Sequence, residues 1–294
     1  MPTDSKAHLF WVISNEVNVK QMRKLIADFC ADPSDIEFSV GPNDFTASEM
    51  SWDPKQGAFT VSVFKVRASD LPAAIDEDEG VQSLDLEEDT NLGEPIVFAY
   101  YPDYEVAIVQ YNHSGPQHPV VRAVLNAIGH EGPIHMSPVL RQDMVEQLET
   151  ASIFRSLEFS LQSPKQQQEL AAAGSSVKEA LSMLENIGGV NVTVKVTMGH
   201  QKGTLLDGVK NTAKKLSEIG DSDLGTLKVN AASNENAPVE QLDLLKARIV
   251  REFEVKLTGR EMDREDCGSK LRSLFASLKE DVQAQRKASM HRVE

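Results

Sequence analysis

The chain has 294 residues, of which 40% are hydrophobic and 26% charged, a composition typical of a soluble globular protein with one large domain or two ordinary ones. Its longest apolar run, Ile96 to Tyr101, is too short to span a bilayer, and its first residues lack the basic and apolar regions of a secretory signal. The two distant cysteines, Cys30 and Cys267, argue against a disulfide framework and indicate reduced thiols in a cytoplasm.

The charge is distributed unevenly along the chain. The net charge is -15, with 9 basic and 25 acidic residues up to Thr150 against 21 and 20 after it. Ten of the carboxylates lie between Asp70 and Glu94, a segment without Lys or Arg. Because crowded like charges repel and are not buried cheaply, this acidic segment is predicted to be a solvated loop or a partner-facing surface.

The first half predicts strands with two helices. His8 to Ser14 is typical of a strand, and Asn18 to Phe29 has the apolar spacing of a helix. Two apolar runs around Pro102 to Glu105 predict a hairpin, and a helix from Pro119 to Ile128 is predicted to end at Gly129. Further strands are predicted at 36–40, 45–52 and 59–66.

The second half predicts the order β-α-β-α-β-β-α. Ser176 to Glu179 is a capping box that opens a helix, and Thr204 is predicted to open a second one that ends near Ile219. The valines of 190–197 alternate with polar residues, as in a half-buried strand. Strands at 153–161 and 227–231, a stretch at 247–257 that fits a strand or a helix, and a final helix through 271–282 complete the pattern.

These elements predict an α+β fold with two lobes of mixed, mostly antiparallel sheets packed with helices. The predicted domains are residues 1–92, an N-terminal α+β lobe that ends in the acidic segment 70–94, and residues 93–294, a C-terminal α+β domain with a basic face and a terminal helix.

Motifs of known chemistry are missing from the sequence. It has no nucleotide-binding glycine loop, no zinc-protease motif and no nucleophile elbow, so we predict neither an enzyme nor a cofactor. The turn from Gly199 to Gly203 precedes a predicted helix and suits a phosphate, although a plain turn is the favoured interpretation. His130 and His135 are predicted to be ordinary loop histidines, because Gly132-Pro133 keeps them off a common helical face.

Basic residues cluster in the second half, and two interpretations stay open. They form a solvated face, or they form a stripe that follows a phosphate backbone and releases counterions from it. Aromatic residues are sparse among them, which favours backbone contact over base stacking. The candidate DNA-binding residues are Lys195, Lys202, Lys210, Lys214, Lys215, Lys228, Lys246, Arg248 and Arg251.

From about residue 75 onward, the order of features resembles the RexA family of phage lambda exclusion proteins. The resemblance rests on the acids before Gly93-Glu94-Pro95, the strand at 106–110, the step from Ser137 to Asp143, the capped helix, the valine strand and Leu227-Lys228-Val229. RexA is similar in turn to the ring-forming DNA-binding protein RdgC. Of two alternating basic residues in the RexA strand, Lys228 keeps the first, and Asn230 replaces the second.

The resemblance implies a homodimeric, sequence-tolerant, double-stranded DNA-binding protein without an active site, which acts in phage exclusion or antiviral defence beside a membrane protein. A seam of Leu271, Leu274 and Leu278 on the last helix is predicted to be exposed and to supply the dimer contact. We also expect the acidic segment to compete with DNA for the basic stripe. The alternative is an acidic protein-interaction module, a DNA mimic or an inhibitor of a DNA-binding partner; a hydrolase of an unrecognised family is disfavoured.

Overall fold

The structure is a computed structural model that describes residues 2–14, 17–69, 71–72, 74–76, 80–82, 84, 86–87, 90–112, 119–130, 132–162, 171, 173–187, 189, 191–199, 203–205, 208–217 and 224–290. The strands in these ranges are β1 (Thr3–Ser14), β2 (Ile36–Val40), β3 (Asn43–Asp53), β4 (Ala58–Arg67), β5 (Ala74–Asp76), β6 (Gly80–Gln82), β7 (Leu92–Tyr101), β8 (Val106–Tyr111), β9 (Ile134–Pro138), β10 (Ile153–Gln162), β11 (Asn191–Thr197), β12 (Leu224–Ala232), β13 (Glu240–Asp243), β14 (Val250–Val255), β15 (Leu257–Thr258) and β16 (Glu261–Met262). The helices are α1 (Val19–Ala31), α2 (Pro119–Ala127), α3 (Gln142–Thr150), α4 (Ser175–Ile187), α5 (Gly208–Ser217) and α6 (Arg264–Met290). Antiparallel sheets packed against helices confirm the predicted α+β class.

The chain divides into two compact units, unit 1 with residues 1–136 and 250–294, and unit 2 with residues 137–249. This division differs from the predicted boundary after residue 92. β4 and β7 pair from Phe59–Tyr100 to Arg67–Leu92, so a boundary at 92 would cut a continuous ladder. The chain also returns to unit 1 through β14, which pairs with β1. Unit 1 holds 18 basic and 31 acidic residues (net -13), and unit 2 holds 12 and 14 (net -2).

Unit 1 is built on a large antiparallel sheet in the order β14-β1-β8-β7-β4-β3-β2, with β9 pairing β1. Its central strands bury both faces, which is why they read as nearly continuous apolar runs. Helices α1 and α2 contribute Met22, Ile26, Val121 and Leu125 to the core on one face. Asn18 caps α1 in a capping box with Gln21.

Helix α6 covers the opposite face of this sheet. Phe275 stacks on Tyr101 of β7 with ring centroids 3.7 Å apart, and a Cβ on Gly268 would come within 2.9 Å of Thr60 Cγ2 on β4. Leu271 and Leu278 are 0% and 4% exposed. The predicted exposed leucine seam is therefore wrong, because the same apolar stripe packs on the sheet of its own unit.

Unit 2 has a four-stranded antiparallel sheet in the order β11-β10-β12-β13. One face carries apolar residues of all four strands and is covered by α3, α4 and α5. The side chains that form this core include Leu148, Leu157, Phe159, Leu181, Leu216 and Val229. The other face carries the polar residues that alternate with them, so each strand of the sheet is amphipathic.

Several element boundaries in unit 2 differ from the predictions. Helix α4 begins at Ser175, which places Ser176 inside the helix rather than at its cap. Thr204 opens no helix, because its Oγ1 accepts a hydrogen bond from the Phe154 amide at 2.8 Å and Leu205 N donates to Phe154 O. The stretch at 247–257 contains the strand β14, which lies in unit 1.

The acidic segment is only partly described. β5 and β6 pair within it, and Glu94 lies in β7, where its carboxylate accepts a hydrogen bond from Arg67 at 2.6 Å. Glu94 thus belongs to the sheet of unit 1 rather than to a solvated loop. The side chains of Asp70, Asp76–Glu79, Asp85, Glu88 and Asp89 lie outside the described residues, and with them the predicted competition for the basic stripe.

Candidate functional site

Eight of the nine predicted DNA-binding residues are described by the structure, and they lie in four different environments. Lys195, Lys228 and Lys246 lie on or beside the polar face of the unit 2 sheet, whereas Lys210, Lys214 and Lys215 lie on α5. Arg248 is buried in unit 2, and Arg251 lies in β14 of unit 1. Lys202 lies outside the described residues. The structure therefore does not bring the set together as one stripe.

The polar face of the unit 2 sheet carries a row of alternating charges. Ladder pairing aligns Lys195 of β11, Glu158 of β10, Lys228 of β12 and Asp243 of β13 side by side. Lys195 Nζ lies 3.0 Å from Glu158 Oε2, and its side chain remains 60% exposed. We call these four residues the charged row.

The charged row is electrically balanced, and Lys246 adds one positive charge at its end. Lys246 Nζ lies 3.6 Å from Asp243 Oδ2. The hydrogen bond from Lys195 lowers the pKa of Glu158, and the charge of Lys228 acts in the same direction. Glu158 thus stays ionised and competes with a phosphate for Lys195.

Hydroxyl groups extend the polar face beside the charged row. Thr193 and Thr197 on β11 share the face of Lys195 and are exposed. Ser156 and Ser160, their partners on the middle strand β10, are 6% and 8% exposed. Of these four hydroxyl groups, the two that a surface ligand can reach are therefore on β11, the edge strand.

The lysines of α5 stabilise the helical side of unit 2. Lys210 Nζ donates to Glu149 O at 2.6 Å and lies 3.3 Å from Glu149 Oε2, while Lys214 forms an ion pair with Glu149 Oε1. Glu149 is in the last turn of α3, where a cation also contacts the last backbone carbonyl oxygens and interacts favourably with the helix dipole. Because Ala213 and Leu216 of α5 join the core, this helix lies across the sheet from the charged row.

Glu149→Gln should destabilise unit 2 at neutral pH. Burial of Glu149 opposes its ionisation, but hydrogen bonds and charge from Lys214 and Lys210 outweigh burial, so its pKa lies below the ordinary value of 4.5. A lowered pKa contributes stability above 4.5 that is lost as the pH falls through the folded-state pKa. In urea unfolding experiments at descending pH, the difference in unfolding free energy between wild type and Glu149→Gln should therefore become smaller in acid. A pH-independent difference would contradict this role.

Arg248 is a poor candidate for a surface contact, and Arg251 lies in a different unit from the charged row. Arg248 is 6% exposed, and burial lowers its pKa to about 10, so it is still charged at neutral pH. A guanidinium inside unit 2 does not reach a phosphate at the surface. Arg251 is exposed on the edge strand β14, where its Nη1 donates to Val250 O at 3.1 Å.

The sequence offered two further candidates, a metal site at His130 and His135 and a phosphate site at the Gly199 turn. Among the described residues, no group of three or more His, Cys, Asp or Glu side chains could hold a metal ion. His130 lies in a loop as predicted, although it is only 4% exposed, whereas His135 lies exposed in strand β9 rather than in a loop. At the Gly199 turn, Gly199 N donates to Thr197 Oγ1 at 3.1 Å, while 200–202 lie outside the described residues.

Unit 1 contains an open cleft of about 900 Å³ that the sequence analysis missed. It lies where β7 and β8 separate: Gln110 Oε1 accepts from Val97 N at 3.1 Å, and Asn112 Nδ2 donates to Pro95 O at 3.4 Å. Pro95 has no N–H to continue the ladder. A glutamine inside the apolar strand 106–111 was the available sequence signal.

The charges of this cleft are balanced, so the cleft does not select a class of ligand. Its lining includes three basic and three acidic residues, Lys6, Arg260 and Arg264 with Asp4, Glu252 and Glu261. Lys6 pairs with Glu252 at 3.4 Å. Arg264 is bonded twice to Glu49 outside the lining, with both distances 2.7 Å.

Glu49 holds Arg264 from a strained backbone. It lies at an irregularity of β3 with φ 52, in the left-handed region, and the hydrogen bond from Arg264 lowers its pKa. Glu49→Ala and Glu49→Gly both remove the ion pair, but only glycine relieves the strain. We expect the glycine variant to be more stable by about 1 kcal/mol in denaturant unfolding. Equal stability of the two variants would show that the backbone is not strained.

Comparison with known proteins identifies a family and no activity. Residues 33–277 match a family of unknown function (DUF6731), and since the match covers most of the chain, the chain belongs to that family. No curated protein matches the chain. None of the helices within the described ranges has an apolar stretch long enough for a bilayer crossing.

Proposed function

We propose that this member of the DUF6731 family is a non-enzymatic, sequence-tolerant double-stranded DNA-binding protein of a phage-exclusion or antiviral defence system, acting as a homodimer. The observation that supports the proposal best is the polar face of unit 2, where Lys195 and Lys228 stand on either side of Glu158. The resemblance to RexA supports the same function. The proposed contacts involve fewer residues than the nine basic residues that the sequence predicted.

The geometry of the charged row suits phosphates rather than bases. Lys195 and Lys228 are two strands apart, or about 10 Å between Cα atoms at the usual strand spacing. Each lysine presents a compact charge on a flexible stem, and the hydroxyls of Thr193 and Thr197 lie on the same face. Contacts of these kinds position a duplex without reading its sequence.

The opposing charges limit the affinity of this surface. The Glu158 carboxylate competes with a phosphate for Lys195, and unit 1 carries a net charge of -13. Both effects disfavour the binding of a polyanion. At physiological ionic strength, salt screens charges that are more than about 8 Å apart, so the repulsion acts mainly at shorter distances. We therefore expect affinities in the non-specific range, with Kd of roughly 10⁻⁴ to 10⁻⁶ M.

The experiment that tests this proposal measures fluorescence anisotropy of two labelled duplexes of unrelated sequence with the full chain. Equal binding of both duplexes is the expected result. A strong preference for one duplex would contradict sequence tolerance, and no binding to either at low salt would contradict the function itself.

A second candidate function is an acidic protein-interaction module that mimics DNA or inhibits a DNA-binding partner. The net charge of -13 on unit 1 favours it. This function predicts no duplex binding in the anisotropy experiment. It also predicts that a basic DNA-binding protein releases from DNA when the chain is added.

A cytoplasmic location and a membrane-protein partner encoded alongside belong to the first proposal. Cys30 and Cys267 are both free, as a reducing compartment would leave them. The membrane partner rests on the resemblance to RexA alone. We propose no cofactor, metal or small-molecule substrate.

A further inference from the structure

The two edges of the unit 2 sheet differ in how well they are protected from pairing. β13 is short, with four residues, begins and ends with an acid, and follows Pro238 closely. β11 has seven residues, Asn-Val-Thr-Val-Lys-Val-Thr, with one charge and neither proline nor glycine. Short, charged, proline-flanked edges resist pairing, whereas long β-branched edges favour it.

The outer edge of β11 is open in the described part of the chain. β11 is the terminal strand of its sheet and pairs there only with β10. Val196 is 39% exposed, although its side chain lies on the same face of β11 as those of Val192 and Val194, which pack against the core. An exposed valine in line with a core face indicates a surface that a neighbouring strand would cover.

We propose that two copies of this chain join through their β11 strands, paired antiparallel about Val194, into one continuous eight-stranded sheet. This inference rests on the homodimer of the proposed function and names its interface. The leucine seam of α6 does not serve this role, because Leu271 and Leu278 pack on the sheet of unit 1.

The sequence of β11 is self-complementary in this register. Val194 faces its own copy, Val192 faces Val196, and Thr193 faces Lys195, so valines pair with valines and no two lysines are directly opposed. Cross-strand pairs of β-branched residues stabilise sheets, and like charges directly opposite destabilise them. A twofold axis makes every such contact occur twice. This palindromic pattern is the reason to choose a second copy over a strand of another protein.

The register also keeps the two faces of the sheet continuous. Pairing residues of equal parity leaves the helices of both copies on one side and both charged rows on the other. Lys195 of each copy retains Glu158 on its inner side. A single polar surface twice the width of one sheet then faces the same direction, which is the arrangement that a long duplex needs.

Charge substitutions at Thr193 test the register. Thr193→Lys places a like charge opposite Lys195 at two symmetric positions, and Thr193→Glu places an opposite charge there. We expect the lysine variant to raise the dimer Kd by roughly two- to thirty-fold and the glutamate variant to lower it. Thr197→Lys is the matched control, because it adds the same charge to the same exposed face opposite Asn191. Sedimentation or light scattering over a concentration series measures all three.

Cysteine cross-linking tests the pairing directly, because a disulfide bond traps even a weakly associated dimer. Val194→Cys brings two sulfur atoms face to face across the axis, within reach of a disulfide. Val196→Cys separates them by four residues, or about 13 Å, although Val196 is exposed. We expect oxidation to cross-link the first variant and not the second, with the bond assigned by peptide mass spectrometry.

The outcomes separate the interface from DNA binding. A wild-type chain that stays monomeric over the whole concentration series overturns the interface, and so does a dimer that cross-links equally at 194 and 196. Duplex binding by a wild-type chain that stays monomeric supports the DNA proposal even where the interface fails. A cross-linked dimer at 194 that binds no duplex supports the interface and overturns the DNA proposal.

Discussion

Replacing both lysines of the charged row, with Lys195→Ala and Lys228→Ala, should weaken binding to every duplex sequence by roughly a hundredfold or more. Hydrogen bonds to charged groups contribute about 1.5–3 kcal/mol each, and both ammonium groups are lost. Since contacts to phosphate carry no sequence information, two unrelated duplexes should be affected equally. Anisotropy titrations of wild type and variant at the same salt concentration measure the change. The fold should survive, because both side chains lie on the polar face of the sheet.

Two further variants make this result specific to the charged row. Lys210→Ala with Lys214→Ala removes the same charge from α5, across the sheet, and should leave the duplex affinity nearly unchanged. Glu158→Gln removes the carboxylate that competes for Lys195 and should tighten binding. If the α5 double variant remained folded by circular dichroism and still weakened binding as much as the Lys195 and Lys228 double variant, the DNA contacts would lie on the α5 side of unit 2.

Phe275→Ala should lower the free energy of unfolding of unit 1 by about 3–5 kcal/mol, the usual cost of truncating a buried aromatic side chain. Phe275 is 2% exposed, stacks on Tyr101 at 3.7 Å and meets Tyr104 edge-on at 5.2 Å. Removing it opens a cavity between α6 and the sheet. Denaturant unfolding of the full chain, followed by circular dichroism, measures the loss.

Leu274→Ala is the matched control on the same helix, because Leu274 is only half-buried. We expect it to have a much smaller effect than Phe275→Ala. A variant of Leu271 or Phe275 that stays as stable as wild type while its dimer dissociates would restore the seam as an interface.

The local elements were predicted well because their signals are local. The hairpin of β7 and β8, the helix after Asn18 and the valine strand β11 each follow from periodicity and turn residues within a dozen positions. The α+β class follows from their order. Boundaries failed where a distant backbone competed, as at Thr204, which bonds the start of β10 rather than capping a helix.

The division into units was beyond reach of the sequence because it depends on long-range pairing. β4 and β7 pair across the acidic segment, and β14 returns from the far end of the chain to pair with β1. The apolar stripe of α6 has the same spacing whether it packs on a sheet or on a second copy. Periodicity identifies a buried face and does not say what covers it.

The sequence predicted which lysines belong to the candidate site, but it did not predict which acidic residues lie beside them. Lys195 alternates with the valines of its predicted strand, and the structure places both Lys195 and Lys228 on the polar face of the unit 2 sheet. Their intervening Glu158 was missed, since only the sheet order brings β10 between β11 and β12. Glu149, which bonds Lys210 and Lys214, was missed because sixty residues separate the partners along the chain.

The salt dependence of duplex binding by the wild-type chain tests the central claim most directly. Each phosphate contact should contribute about -0.9 to the slope of log K against log salt concentration, so two lysines in each of two copies predict a slope near -3.6. A slope of that size, the same for unrelated duplexes, is the result expected if the charged row contacts the DNA backbone. Absence of duplex binding at the lowest salt concentration, or binding that ignores salt, would contradict it.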